Sequence, residues 1–203
     1  MYTTLPTFIL GFHGCDQSVV DRVVNAQHHL LPSTNDYDWL GHGVYFWEND
    51  PKRALEYAEM LQRYPKRGRG KIIQPAVLGA VIDLGYCLNL METAALGLVR
   101  SAYETLCDSL LSAGDDLPVN TPGPRGGNDL LLRRLDCAVI ELLHEENTGR
   151  SFDTVRGLFF EGEDLYPNAG FKVKNHIQVC VRNPNCIKGY FLPRSSDNQY
   201  PIP

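Results

Sequence analysis

Two short segments of the chain carry residues suited to grip a planar cation and the sugar attached to it. In Phe12-His13-Gly14 an imidazole precedes a glycine at the end of an apolar run. A neutral histidine can accept a hydrogen bond from a ribose hydroxyl through one ring nitrogen while the protein holds the other. The glycine lets a ligand amide approach the main chain. Further along, Gly41-His42-Gly43 leads into Val44-Tyr45-Phe46-Trp47. A tyrosine ring stacked on a pyridinium gains both burial and cation–π attraction, which suits the nicotinamide of NAD before its glycosidic bond breaks. Strand alternation lets Tyr45 and Trp47 share a cleft while Val44 and Phe46 pack inward.

The elements that must position these residues follow from hydrophobic period and capping. Thr7 to Phe12 has the length of a buried strand, ended by Gly14. Asp16 or Ser18 caps a helix through about Ala26, with Val19, Val20, Val23 and Val24 as its apolar stripe. Val44 to Trp47 is a second strand, and Asn49-Asp50-Pro51 starts a helix that runs to about Arg63. Ile72 to Leu84 reads as a long strand, Met91 to Ala113 as a helix, Asn120 to Asn128 as a loop, and Asp129 to Glu146 as a further helix. Strands return at Gly157 to Glu161, Lys172 to Val181 and Ile187 to Leu192. Strands at both ends with helices between them predict one α+β domain spanning residues 1–203. No βαβ repeat or GxGxxG motif is present, which argues against a dehydrogenase-type dinucleotide fold.

Composition narrows the classes further. The 203 residues, 43% of them hydrophobic, are enough for one core without disulfides or metals. The six cysteines form no CxxC pair and read as reduced core thiols, so no metal is expected. The N-terminal segment lacks a basic region followed by a long apolar stretch, so the expectation is a cytoplasmic protein without a membrane anchor. A net charge of -5 does not advertise a nucleic-acid binder, although the loop Lys66 to Lys71 is locally basic.

Phe-His-Gly, then Gly-His-Gly-Val-Tyr-Phe, then a helix containing Ala54 and Tyr57 resembles the ADP-ribosyltransferase superfamily. The branch it looks most like is the poly(ADP-ribose) polymerase and diphtheria-toxin-like group, and the resemblance covers residues 8 to 58. It implies a split β-sandwich flanked by helices, with NAD in a cleft between two sheets. It implies that His13 binds ribose hydroxyls on the adenine or nicotinamide side, that Gly14 offers its backbone to the carboxamide, and that Tyr45 stacks on the ring. Gly43, Phe46, Ala54, Tyr57 and Trp39 complete the expected NAD-binding set. Arg53 falls near the place of the family's small hydroxyl residue, and Tyr57 lies one position beyond that of its second stacking tyrosine.

The family usually adds a glutamate on a late strand. Aligning His176-Ile177-Gln178-Val179-Cys180 with that strand puts Gln178 at the position, and Glu161 of Phe159-Phe160-Glu161-Gly162-Glu163 is the alternative carboxylate. Cleavage of NAD passes through an oxocarbenium-like cation that a carboxylate stabilises better than a neutral amide does. The resemblance therefore implies single ADP-ribose additions to a protein or nucleic-acid acceptor rather than polymer synthesis. NAD glycohydrolase activity and a catalytically silent NAD- or partner-binding module are the alternatives. It also implies a bacterial or phage-related toxin or defence effector, with a neutralising antitoxin as a partner.

Overall fold

A computed structural model describes residues 8–25, 28–65, 70–123, 126–146, 149–195 and 198–200. Strand β1 (Phe8–Asp16) is followed by helix α1 (Gln17–Val24), strand β2 (Val44–Glu48) and helix α2 (Pro51–Arg63). Then come β3 (Pro75–Asp83), β4 (Cys87–Asn89), α3 (Thr93–Ala113), β5 (Asn120–Thr121) and β6 (Leu132–Arg133). The chain ends with α4 (Arg134–Glu146), β7 (Thr154–Phe159), β8 (His176–Val181) and β9 (Ile187–Phe191). The architecture is α+β, as the distribution of strands and helices implies.

Seven strands form one sheet in the order β4-β7-β8-β2-β1-β3-β9, antiparallel except for β4 beside β7. The strands that the resemblance places in two sheets lie in one seven-stranded sheet that narrows where β1 meets β2, beside a separate two-stranded sheet of β5 and β6. β1 pairs with β3 along its whole length, from Phe8↔Asp83 to Asp16↔Pro75, yet meets β2 only at Gly11↔Glu48 and Phe12↔Trp47. β2 continues on its other side against β8, with Tyr45↔Cys180 and Trp47↔Gln178 in register.

Alternation along the strands sorts the core by face. Val44, Phe46, Leu78, Ala80, Ile82, Val179 and Val181 are buried with Val20 and Val23 of α1. On the other face Leu40, Val155, Phe159 and Cys180 pack with Ala95 of α3 and Ile140 of α4. Beside them Phe12 and Trp47 lie under Ala54 of α2. Asp50 caps α2 by accepting from the Arg53 N–H at 2.9 Å, with Pro51 in the first turn as the sequence predicts.

Several boundaries move for identifiable reasons. β1 runs past His13 and Gly14 because β3 keeps pairing with it, so Gly14 is inside a strand rather than its terminator. α4 begins at Arg134 instead of Asp129, since Leu132 and Arg133 pair with Asn120 and Thr121. The Asn120 carboxamide oxygen then accepts from the Leu135 and Asp136 N–H groups, a cap supplied from far upstream. β8 begins at His176 because Asn175 folds back to accept from the Lys172 N–H. The basic residues 66–69 lie outside the described residues; Gly70 and Lys71 are exposed. All six cysteines are free, and among the described residues no helix is long and apolar enough to cross a membrane.

Candidate active site

The waist of the sheet places His13. In an antiparallel pair, alternate residues aim their N–H and C=O at the same neighbour. The Asn49 N–H donates to the Leu10 carbonyl at 2.9 Å, so Leu10, Phe12 and Gly14 of β1 face β2, and Asn49, Trp47 and Tyr45 face β1. The rung after Phe12–Trp47 would be Gly14–Tyr45. It is not made: the His13 imidazole occupies the Tyr45 carbonyl instead, Nδ1 to O 2.8 Å. Two residues before Tyr45, Gly43 is already paired in both directions with Ser33, at 3.1 and 2.7 Å. The opening between the strands is therefore one rung long, and the Gly14 N–H and C=O are directed into it.

The chemistry of His13 follows from that contact. A carbonyl oxygen only accepts, so Nδ1 carries the proton. Burial holds the imidazole pKa below its ordinary value, which the bond to Tyr45 only partly offsets. At neutral pH the ring is neutral, and Nε2 presents a lone pair. Gly14 is also required by packing: a Cβ there would collide with the Ala54 carbonyl of α2. Ala54 is fully buried, and its place in the site is to hold α2 against β1.

Tyr45 sits at the other edge with its hydroxyl already engaged. It donates to the Gly41 carbonyl at 2.6 Å and accepts from the Leu40 N–H at 2.8 Å, and burial raises its pKa well above the usual phenol range. The turn that it ties down is anchored from behind. Glu141 of α4 accepts from the His42 N–H at 2.7 Å and is paired with Arg182 through both oxygens. Arg182 in turn donates to the His42 carbonyl at 3.0 Å. Gly41, at φ 74°, is required here because a Cβ would strike Glu141 and Ile140. The Tyr45 ring packs against the cluster that holds Leu40, Phe159 and Cys180.

Around Trp47 the structure gathers residues from five parts of the chain. Its ring is 4.9 Å from Tyr57 of α2 and 6.5 Å from His176 of β8, centroid to centroid. The Arg53 guanidinium lies 5.8 Å from the same ring and donates to Glu161 Oε2 at 2.7 Å. Trp39 packs on Phe159 at 4.9 Å and stacks toward His176 at 6.3 Å, with Arg133 4.3 Å above it. Trp47 Nε1 and Arg53 Nε are buried and find no partner among the described residues. Buried donors are normally paired. Two orphans beside one aromatic floor fit the acceptor atoms of a bound ligand.

The expected residues are thus brought together unevenly. His13, Gly14 and Tyr45 meet at the missing rung; Tyr57, Trp39 and Gln178 converge around Trp47 and His176. Phe46 is fully buried on the opposite face, where it supports His13 edge-on at 5.8 Å between centroids, so its part in a site is that of core rather than ligand wall. Gly43 serves the pairing with Ser33. Glu161 faces Arg53 with one oxygen and Lys174 with the other, at 2.7 and 3.6 Å, so both ends of its carboxylate are engaged. Arg53, His176 and Arg133 emerge as site residues that sequence reasoning did not assign. For Arg53 the available signal is its position one turn into a capped helix, beside Ala54. His176 carries none.

Comparison with known proteins adds little. The chain is 24% identical over 192 residues to an uncharacterized protein of Methanocaldococcus jannaschii, an alignment covering 87% of this chain and 83% of that protein. No family model matches, and no solved structure matches.

Proposed function

We propose that this protein is a mono-ADP-ribosyltransferase that cleaves NAD and passes ADP-ribose to a macromolecular acceptor. The observation that carries the reading is the missing Gly14–Tyr45 rung with the neutral His13 imidazole set into it. A carboxamide has one donor and one acceptor side by side, the pattern that the Gly14 N–H and C=O complement. Nicotinamide bound in this way lies next to the aromatic ring faces of Tyr45, Trp47 and Tyr57, and His13 Nε2 accepts from a ribose hydroxyl. The waisted sheet is the counterpart, in this reading, of the split sandwich of the ADP-ribosyltransferase fold.

Chemistry then proceeds by loss of the leaving group. The bond between the anomeric carbon and the ring nitrogen breaks, its electron pair goes to nicotinamide, and the positive charge moves to the ribosyl oxocarbenium. An acceptor nucleophile forms the new bond at the anomeric carbon and releases its proton to solvent. Gln178, in register beside Trp47, holds the ribose by hydrogen bonding rather than by charge. This favours single transfers. The acceptor is a protein or nucleic acid; water as acceptor makes the same site a glycohydrolase. A catalytically silent NAD-binding module is the second reading, favoured by the neutral Gln178 and by the commitment of Glu161 to Arg53 and Lys174. The further assignment to a toxin or defence effector held by an antitoxin rests on the family resemblance alone.

Incubation with NAD labelled in its adenylate phosphate, with and without cell extract, separates these outcomes. Label in the protein or nucleic-acid fraction supports transfer, and label only in free ADP-ribose supports hydrolysis. Binding without nicotinamide release supports the silent module. Turnover or binding undiminished in His13→Ala sinks the assignment of the site.

A further inference from the structure

His176 and Gln178 project from the same face of β8, two residues apart. His176 Nδ1 lies 2.8 Å from the Lys174 carbonyl, and its Nε2 lies 3.2 Å from the amide nitrogen of Gln178. The first contact settles the tautomer, because a carbonyl requires Nδ1 to carry the proton. Nε2 of the neutral ring is then an acceptor, and the Gln178 amide must turn its NH2 toward it. Its oxygen is left for something else, and no described residue donates to it. We infer that His176 is a positioning residue that locks the Gln178 side chain oxygen-outward, so that the late strand offers the ribose a hydrogen-bond acceptor in place of a carboxylate. This deepens the proposed NAD-cleaving site and rests on that reading for its catalytic meaning, but not for its geometry.

The lock has a built-in release. Protonated His176 carries N–H on both nitrogens, so Nε2 would face the amide NH2 donor to donor. The amide then rotates by half a turn, gives its oxygen to His176 and presents NH2 to the ribose. A donor there cannot accept from the ribose hydroxyl, and it repels the growing positive charge. The groups facing His176 pull in both directions. Arg53 of α2 opposes protonation, while Glu161 and Asp50 favour it; Trp39 and Phe159 exclude water, and burial is the largest influence, holding the pKa below the ordinary histidine value. The oxygen-outward state therefore persists at neutral pH and is lost on acidification.

The test reads both the reaction and the lock. In the intact protein, nicotinamide release is measured from about pH 5 to 8, the range in which a histidine titrates. The wild type is expected to lose kcat on the acid side with KM for NAD little changed. His176→Leu, checked for an unaltered melting temperature, is expected to lower kcat on the order of 10-fold, as one missing transition-state hydrogen bond does, and to flatten that acid limb. In parallel, the Gln178 side-chain amide signals, identified by their loss in Gln178→Leu, should follow His176 titration in 15N NMR and cease to do so in His176→Leu. Turnover with an unresponsive amide, or with an unchanged acid limb in His176→Leu, overturns the lock. A responsive amide without NAD turnover leaves the lock standing and overturns the NAD-cleaving reading.

Discussion

Arg53 Nη2 and Glu161 Oε2 lie 2.7 Å apart, joining the first turn of α2 to the segment after β7, with both side chains at least 85% buried. An ion pair taken this far out of water is a matched set: removing one member strands the other. Glu161→Gln is therefore expected to destabilise the fold by roughly 1–3 kcal/mol in urea denaturation. The double replacement Arg53→Met with Glu161→Met should recover part of that loss. If Glu161→Gln abolishes nicotinamide release without moving the denaturation midpoint, Glu161 is a catalytic carboxylate and not the structural partner described above.

Gly14→Ala should be more damaging than its single methyl group suggests. The new Cβ meets the Ala54 carbonyl, a main-chain atom that cannot rotate away, so α2 must move off β1. A loss of about 1–3 kcal/mol is expected from overpacking of this kind, with NAD binding weakened in the same variant. Unchanged stability in Gly14→Ala would show that α2 is not seated where we place it.

Tyr45→Phe separates stacking from anchoring. The ring face is kept, while the bonds to the Gly41 carbonyl and the Leu40 N–H disappear. Stability should fall by about 1–2 kcal/mol, with the buried Leu40 N–H and Gly41 carbonyl left to find water. KM for NAD should rise only slightly in Tyr45→Phe and strongly in Tyr45→Ala. Equal KM values for the two variants would remove the tyrosine from the nicotinamide wall.

Acid should destabilise the protein through its buried imidazoles. His13, His144 and His176 all have folded-state pKa values held below the ordinary histidine value, chiefly by burial. The unfolded chain takes up these protons first as pH falls through about 6.5, so unfolding becomes more favourable below that point. The effect continues until the native pKa values are reached, and above about pH 7 it is absent. Each group adds up to about 1.4 kcal/mol per pH unit in that window. Thermal melts across pH 5 to 7.5 check the sign, and His144→Leu should shallow the slope without touching the site around His13. A melting temperature that stays level as pH falls through this window would be the contrary result.

How far the sequence foretold all this depends on the range of the interactions. Asp50-Pro51 specifies the start of α2 with atoms three residues apart, and the start falls where that pattern puts it. His13 and Tyr45 are brought together by the short pairing of β1 with β2, and their contact runs through the Tyr45 main-chain carbonyl, which neither residue type announces. What escaped is whatever depends on partners distant in the chain: Asn120 capping α4, Glu141 and Arg182 holding the Gly-His-Gly turn, and Glu161 spent on Arg53. His176 illustrates the limit most sharply. Its role depends on which ring nitrogen meets the Lys174 carbonyl, and no periodicity records that.

The gap between β1 and β2 is bounded by Phe12–Trp47 on one side and by Gly43–Ser33 on the other. An unpaired strand edge normally invites another strand, and with it aggregation or peptide capture. An edge that is open for one rung has no register to offer a peptide, which needs several successive rungs to hold its place. A one-rung interruption thus exposes backbone without exposing an edge, and spares the sheet the liability that a longer gap would carry.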